Sequence, residues 1–165
     1  MMNNNVPLFR GSKVLFMRLP GASPEIQRIT CLISVTRLCN PAVRTRRYFD
    51  DPFQHSDTVG RSVSYKFEMI FHRGDPLHEY LADIMDNRLG SDAIVTLYEA
   101  DFSESAGDGA CACTEALFSV IPGKRFYDEN GMLRYSGELA IRSIPANGSA
   151  VISENGSSLE FSRIG

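Results

Sequence analysis

The residues best suited to chemistry lie around one predicted turn, where His72, Asp75 and His78 follow each other closely. Imidazole and carboxylate groups act as general acids and bases and as metal ligands, so the spacing is compatible with a site of either kind. Asp75 precedes Pro76, however, and this pair is typical of a helix start, where the aspartate accepts backbone hydrogen bonds. His78 then falls in the first helical turn, where a surface or capping role is the simpler interpretation. A small β-barrel binding module or metal-dependent enzyme using His72, Asp75 and His78 remains the alternative hypothesis.

The four cysteines do not complete such a site. Cys31, Cys39, Cys111 and Cys113 give none of the familiar zinc-ligand spacings with the histidines. Neighbours two apart on a strand point the same way, so Cys111 and Cys113 are a poor disulfide pair. We expect free thiols, no metal and no cofactor.

A second cluster mixes arginines, aromatic rings and acids in one short segment: Arg44, Arg46, Arg47, Tyr48, Phe49, Asp50 and Asp51. Arginines beside aromatic rings occur in single-stranded nucleic-acid sites, but the two aspartates oppose contact with phosphates. Arginine and tyrosine also anchor protein interfaces, and a segment with both charge signs can pair with a second copy of itself. We therefore predict that a long loop or hairpin over residues 44–60 contacts another subunit.

The elements that must position these residues are read most clearly between residues 64 and 98. Tyr65, Phe67, Met69 and Phe71 alternate with other residues, which is typical of a half-buried strand. Apolar residues at three- and four-residue steps then predict a helix over 77–89 that ends at Gly90. Residues 93–98 predict the next strand.

The rest of the chain predicts short strands separated by turns. The predicted strands cover 14–19, 26–35, 113–121, 133–141, 150–152 and 159–161. The predicted breaks are Asn40-Pro41, a mobile connection over 103–109, and turns at Asn130-Gly131, Asn147-Gly148 and Asn155-Gly156. Gly137, inside a strand, predicts a bulge or a close backbone neighbour. The fold class is mainly β, an antiparallel sandwich or barrel with one flanking α-helix.

Composition excludes several classes of protein. The chain has 165 residues and a net charge of −3, which does not resemble the basic balance of proteins that grip nucleic acid. No apolar run is long enough to span a bilayer, and the N-terminus lacks a secretory signal. We expect one domain over 1–165, with a flexible N-terminal arm over 1–13, made in the cytoplasm and without a membrane partner.

The order of several short motifs resembles the tail tube (major tail) proteins of tailed bacteriophages. These motifs are Arg47-Tyr48-Phe49-Asp50-Asp51, Ser56-Asp57-Thr58-Val59-Gly60, Ser64-Tyr65-Lys66-Phe67-Glu68, Gly74-Asp75-Pro76-Leu77-His78 and Leu133-Arg134-Tyr135-Ser136-Gly137. The similarity covers roughly residues 44–141, and the cysteine-containing segments belong to no pattern of that family.

The resemblance implies a virion structural protein without catalytic activity. In that family, subunits form hexameric rings that stack into the tube through which DNA leaves the capsid, and DNA passes without specific binding. The implied partners are further copies of the chain and other tail proteins: the initiator or baseplate, the tape measure and the terminator. The implied location is the virion tail of a phage, prophage or phage-tail-like particle, after synthesis in the host cytoplasm.

Overall fold

The structure is a computed structural model that describes residues 12–22 and 24–164. Within these residues it is mainly β, with one α-helix and one short 3₁₀-helix. The elements are β1 (Lys13–Arg18), β2 (Ile26–Arg28), β3 (Leu32–Arg47), β4 (Gln54–Ile70), α1 (Pro76–Asn87), the 3₁₀-helix (Gly90–Ala93), β5 (Ile94–Gly107), β6 (Ala110–Tyr127), β7 (Leu133–Ile141), β8 (Ala146–Ile152) and β9 (Leu159–Arg163). The predicted N-terminal arm falls outside the described residues, except that β1 begins at Lys13.

The strands form one antiparallel sheet in the order β2-β1-β5-β6-β7-β4-β3. β6 organises it, because one of its edges pairs with β5 while the other pairs first with β8 and then with β7. β9 pairs with β8. The predicted fold class, an antiparallel β-structure with one flanking helix, is confirmed.

One half of the sheet closes into a small barrel. Its strands run β1, β5, β6, β8, β9 and β2, and the circle is completed by a bridge between Gln27 and Ser158. The backbone N–H of Arg28 also donates to the carbonyl oxygen of Ser157 at 2.8 Å. The barrel interior is apolar and contains Val14, Phe16, Ile26, Tyr98, Ala100, Cys113, Ala150 and Leu159.

The other half of the sheet packs its inner face against α1. The predicted alternation in β4 is confirmed there, because Tyr65, Phe67 and Met69 are buried beneath the helix and its neighbours. Alternate residues of β5 serve the two halves: Val95 faces this larger core, whereas Tyr98 faces the barrel interior. The two cores therefore share strands and form one continuous structure.

Helix α1 begins as the sequence predicts and ends earlier. The Asp75 carboxylate accepts the backbone N–H groups of Leu77 and His78, and Pro76 occupies the first helical position. The helix ends at Asn87 with an extended residue after it, so the predicted end at Gly90 is wrong. Gly90 does have a left-handed φ of 59°, but it opens the 3₁₀-helix, and Leu89 lies on the surface at 86% exposure.

Three further boundaries differ from the sequence-based expectation. The predicted strand 26–35 is two strands, separated where Cys31 adopts a left-handed φ of 59°. Asn40-Pro41 does not break β3, since proline is tolerated on an edge strand that need not donate a hydrogen bond. Residues 103–109 are not a loose connection, because β5 continues to Gly107 and turns into β6.

Three glycine-containing sites predicted from the sequence have different outcomes in the structure. Gly137 is confirmed as a site with a close backbone neighbour, because a Cβ there would lie 2.8 Å from the carbonyl oxygen of Ile121. The predicted turn at Asn147-Gly148 is wrong, since both residues lie within β8. The predicted turn at Asn155-Gly156 is confirmed, because it joins β8 to β9 and Gly156 has a φ of 71°.

Candidate functional site

The most prominent surface feature is the outer part of the hairpin formed by β3 and β4. Its cross-strand pairs run without interruption from Cys39 with Val63 to Arg47 with Gln54, apart from one register shift beside Ala42. Every residue from 39 to 62 except Asp51 is exposed. This half of the hairpin, residues 39–62, therefore projects beyond the core as a two-stranded ribbon.

The seven predicted interface residues all lie on this ribbon or its turn. Arg44 and Arg46 share one face of β3, and the Arg46 Nη2 atom lies 3.5 Å from the Asp57 Oδ2 atom on β4. Arg47 is the last residue of β3. Tyr48, Phe49, Asp50 and Asp51 form the turn that follows.

Asp51 has a role within the turn. Its carboxylate accepts a hydrogen bond from the backbone N–H of Phe53 at 2.8 Å and also contacts the His55 ring nitrogen. The hydrogen bond from His55, followed by that from the Phe53 N–H, lowers the pKa of Asp51 below its ordinary value. Asp51 thus fixes the shape in which the neighbouring turn residues are presented.

Large apolar side chains are exposed on the ribbon, where they add nothing to the stability of the isolated chain. Phe49 is fully exposed, Phe53 is 71% exposed, and Val43 and Val59 are each more than half exposed. Apolar residues grouped with arginines and a tyrosine are characteristic of protein interfaces.

The outer edge of β3 is also available for pairing. Among residues 12–22 and 24–164, no strand pairs with the edge of β3 that faces away from β4. Long strands with an open row of backbone donors and acceptors are templates for another chain, and proteins that remain monomeric protect them. The open edge extends along the sixteen residues of β3.

The alternative site around His78 is brought together in space, but its atoms hold the fold together. His78 is fully buried, although the sequence suggested a surface or capping residue. Its Nδ1 atom accepts from the backbone N–H of His72 at 3.0 Å, and its Nε2 atom donates to the carbonyl oxygen of Thr30 at 3.0 Å. Both ring nitrogens therefore bond to the protein, and the ring joins α1 to the chain segments before β3 and after β4.

Asp75 and His72 are engaged in a similar way. One Asp75 oxygen caps α1, and the other lies 3.8 Å from the His78 Nε2 atom. His72 is exposed, with its Nδ1 atom 3.2 Å from the carbonyl oxygen of Ile70. Within the described part of the chain, no three His, Cys, Asp or Glu side chains are grouped as metal ligands would be. The geometry favours a structural role for this cluster.

Sequence reasoning did not find a second polar cluster, at one end of the small barrel. Tyr98 is fully buried, and its hydroxyl donates to the Glu115 Oε2 atom at 2.6 Å. Arg163 and Arg18 reach the same carboxylate from β9 and β1. Burial raises the pKa of Glu115, but the Tyr98 hydroxyl and the two guanidinium groups outweigh it, and the net result is a pKa below the ordinary value. A lone Glu115 among strand residues gave no signal of this network.

None of the helices in the described part of the chain is both long enough and apolar enough to cross a membrane.

Comparison with known proteins agrees with the fold. No protein-family model and no curated protein sequence matches the chain. Among solved structures, the SPP1 tail tube is similar with a TM-score of 0.64 and 11% identity, over 88% of this chain and 81% of that one. The anti-feeding prophage baseplate, 6-fold symmetrised, is similar with a TM-score of 0.52 and 12% identity, over 86% of this chain and 95% of that one. The chain has a phage tail-tube-like fold, as its sequence motifs indicated.

Proposed function

We propose that this protein is a tail tube subunit of a phage, prophage or phage-tail-like particle. In this proposal residues 1–165 form a single domain that assembles into hexameric rings, the rings stack into a tube, and the protein performs no catalysis. The observation that carries the proposal is the β3–β4 ribbon with its open edge, on a fold shared with the SPP1 tail tube.

The open edge explains why assembly would complete the structure. In an isolated chain, the exposed β3 edge and the apolar turn residues face water at a cost. A neighbouring copy that covers the edge and the turn removes both from water. A closed ring of such copies has no unpaired strand edge. The anti-feeding prophage baseplate, which shares this fold, was determined with 6-fold symmetry, and this supports six as the number of copies.

The interface residues are those of the ribbon. We propose that Arg44, Arg46, Arg47, Tyr48, Phe49, Asp50 and Asp51 contact a neighbouring subunit in the same or the next ring. Phe49 acts as the apolar anchor, because it has no cover in the isolated chain among the described residues and lies in a turn held by Asp51. The arginines around it supply oriented donors for acceptors on the neighbour.

The charge of the chain suits a conduit for DNA. The net charge is −3, and a weakly acidic wall repels phosphate groups, so that DNA would pass without sticking. The further partners in this proposal are an initiator or baseplate, a tape measure and a terminator, and the location is the virion tail after synthesis in the host cytoplasm.

Electron microscopy of the purified protein over a concentration series tests the proposal. We expect rings or tubes, whereas a strict monomer that takes up stoichiometric metal would favour the binding-module or enzyme alternative. A variant in which residues 46–55 are replaced by Asn-Gly keeps the Thr45–Ser56 pair as the end of a shortened hairpin. This variant should form no rings or tubes, while its melting temperature stays near that of the wild type.

A point substitution with a matched control sharpens the test. Phe49→Ser should abolish assembly, whereas Leu89→Ser, at another highly exposed apolar residue on the loop after α1, should leave it unchanged. Equal assembly of both variants would show that the ribbon is not the interface.

A further inference from the structure

A cavity of about 570 Å³ lies at one end of the small barrel, beside the cluster around Glu115. Arg18 and Arg163 line it together with Glu115, and Thr96 and Ile144 contribute to its walls. Ile144 stands at 93% exposure, so the cavity opens to solvent there. A pocket with a few converging polar groups is a candidate binding site by its form.

The cavity presents an excess of positive charge. Its charged lining residues within the described chain are two arginines and one glutamate. The Arg163 Nε atom donates to Glu115 at 3.0 Å, and the Arg18 Nη2 atom lies 3.5 Å from that carboxylate. Among the described residues, the Nη1 group of neither arginine has a hydrogen-bond partner in the protein. These donors suit a carboxylate, which a guanidinium group binds well.

A protruding acidic tip lies at the far end of the same two strands. Residues 102–109 are all exposed, and the segment 99–110 contains no lysine or arginine. β5 and β6 meet there in a two-residue turn at Asp108 and Gly109, which both have positive φ, of 49° and 75°. Besides Glu104 and Asp108 the tip consists largely of serine, alanine and glycine, so it is narrow.

The register of β5 places the tip and the cavity at opposite ends of the molecule. Thr96 lines the cavity, and Asp108 is twelve residues further along the chain. β5 contains two bulges on the way, and the paired strand β6 covers the same distance in seven residues, from Leu117 opposite Thr96 to Ala110 beside the turn, which is roughly 23 Å. Complementary surfaces at opposite ends of one subunit make a head-to-tail contact, which repeats without limit instead of closing on itself.

We infer that the acidic tip of the β5–β6 hairpin, with Glu104 and Asp108, docks into the Arg18–Arg163 cavity of a second copy and joins successive rings. This inference rests on the proposed function and names a stacking contact within it. The tip carboxylates bind the guanidinium donors that Glu115 leaves free, and Phe102, which is 45% exposed, packs at the contact. The ribbon of β3 and β4 then remains available to the neighbours within and between rings.

Charge substitutions that leave the barrel network intact test the contact. Asp108→Lys reverses the charge of the tip, and Ile144→Glu places a negative charge at the mouth of the cavity. Each should raise the critical concentration for tube growth by about tenfold or more, because like charges at an interface cost at least 1.4 kcal/mol. Glu154→Lys, an identical charge change in the β8–β9 turn at the same end as the tip, is the matched control and should assemble as the wild type does.

The double variant with Asp108→Lys and Ile144→Glu restores opposite charges and should form tubes at a lower concentration than either single variant. Tube length is measured by electron microscopy, and melting temperatures confirm that each variant is folded. Single variants that stack as well as the wild type, or a Glu154→Lys variant that is equally impaired, would overturn the inference and leave the tube proposal standing. A wild-type protein that never forms rings or tubes would overturn the proposed function, and the inference with it.

Discussion

Gly148 on β8 is the position where one added methyl group should loosen the small barrel. A Cβ at this position would lie 2.3 Å from the carbonyl oxygen of Ser162 and 2.5 Å from the Phe161 ring. The oxygen belongs to the backbone of β9 and cannot rotate away as a side chain could. Phe161 is held in place by an edge-on contact with Tyr98, whose ring centre is 5.3 Å away.

The expected cost follows from these distances. An ordinary carbon contact is about 3.5 Å, so β9 must move by about 1 Å to admit the methyl group. Forced overpacking of this kind costs about 1–3 kcal/mol. For a chain of this length we expect Gly148→Ala to lower the melting temperature by about 2–12 °C.

Gly60→Ala provides the matched control for Gly148→Ala. Gly60 also lies in a strand and has no left-handed φ, and a Cβ there meets only the Ala42 Cβ atom, at 3.8 Å. Its free energy of unfolding should change by less than about 0.5 kcal/mol. Both variants are compared by urea unfolding and by hydrogen exchange over residues 159–163. Equal free energies of unfolding and equal hydrogen-exchange rates in the two variants would refute the close packing of β9 against Gly148.

Three further outcomes are expected. Glu115→Gln should lower the free energy of unfolding by about 1–3 kcal/mol at neutral pH. The pKa of Glu115 is lower in the folded state than its ordinary value, so its stabilisation is present above that ordinary value and is lost as the pH falls through the folded-state pKa. The free energy of unfolding should therefore fall less steeply at acid pH in Glu115→Gln than in the wild type. An unchanged pH dependence would contradict the network. His78→Ala should cost roughly 2–4 kcal/mol in urea unfolding, because a fully buried ring is removed and two backbone groups lose their partner; a loss below 1 kcal/mol would instead fit a dispensable surface histidine. In thiol labelling of the native protein, the exposed Cys31 and Cys39 should react rapidly, whereas Cys113 should react on unfolding, because burial raises the pKa of its thiol to about 12. A fast reaction that disappears in Cys113→Ser would contradict this last expectation.

The sequence predicted the elements that follow from local patterns. The alternation of Tyr65, Phe67 and Met69 predicted the buried face of β4, and Asp75-Pro76 predicted the start of α1. Both signals act within a few residues, where side-chain spacing and capping chemistry decide the structure. The resemblance to tail tube proteins rested on the order of such short motifs and is matched by the fold.

Two of the errors originate in tertiary contacts. Asn147-Gly148 looks like a turn, but its glycine is required because Phe161, on the paired strand β9, approaches the backbone there. His78 looked like a surface residue, because no local pattern shows that its ring bonds to Thr30. The β5–β6 turn could have been found from Asp108-Gly109, a strong hairpin signal that the surrounding serines and alanines obscured.

The bridge between β2 and β9, which closes the small barrel, has a consequence for folding during synthesis on the ribosome. Gln27 pairs with Ser158, β1 pairs with β5 and β4 pairs with β7, so several pairings join distant parts of the chain. Such topologies fold slowly, and incomplete chains expose strand edges that invite aggregation. The barrel cannot seal until Leu159–Arg163 has been synthesised. In the proposed tube assembly, each newly made subunit would thus become able to assemble late, and nucleation would wait until whole molecules are present.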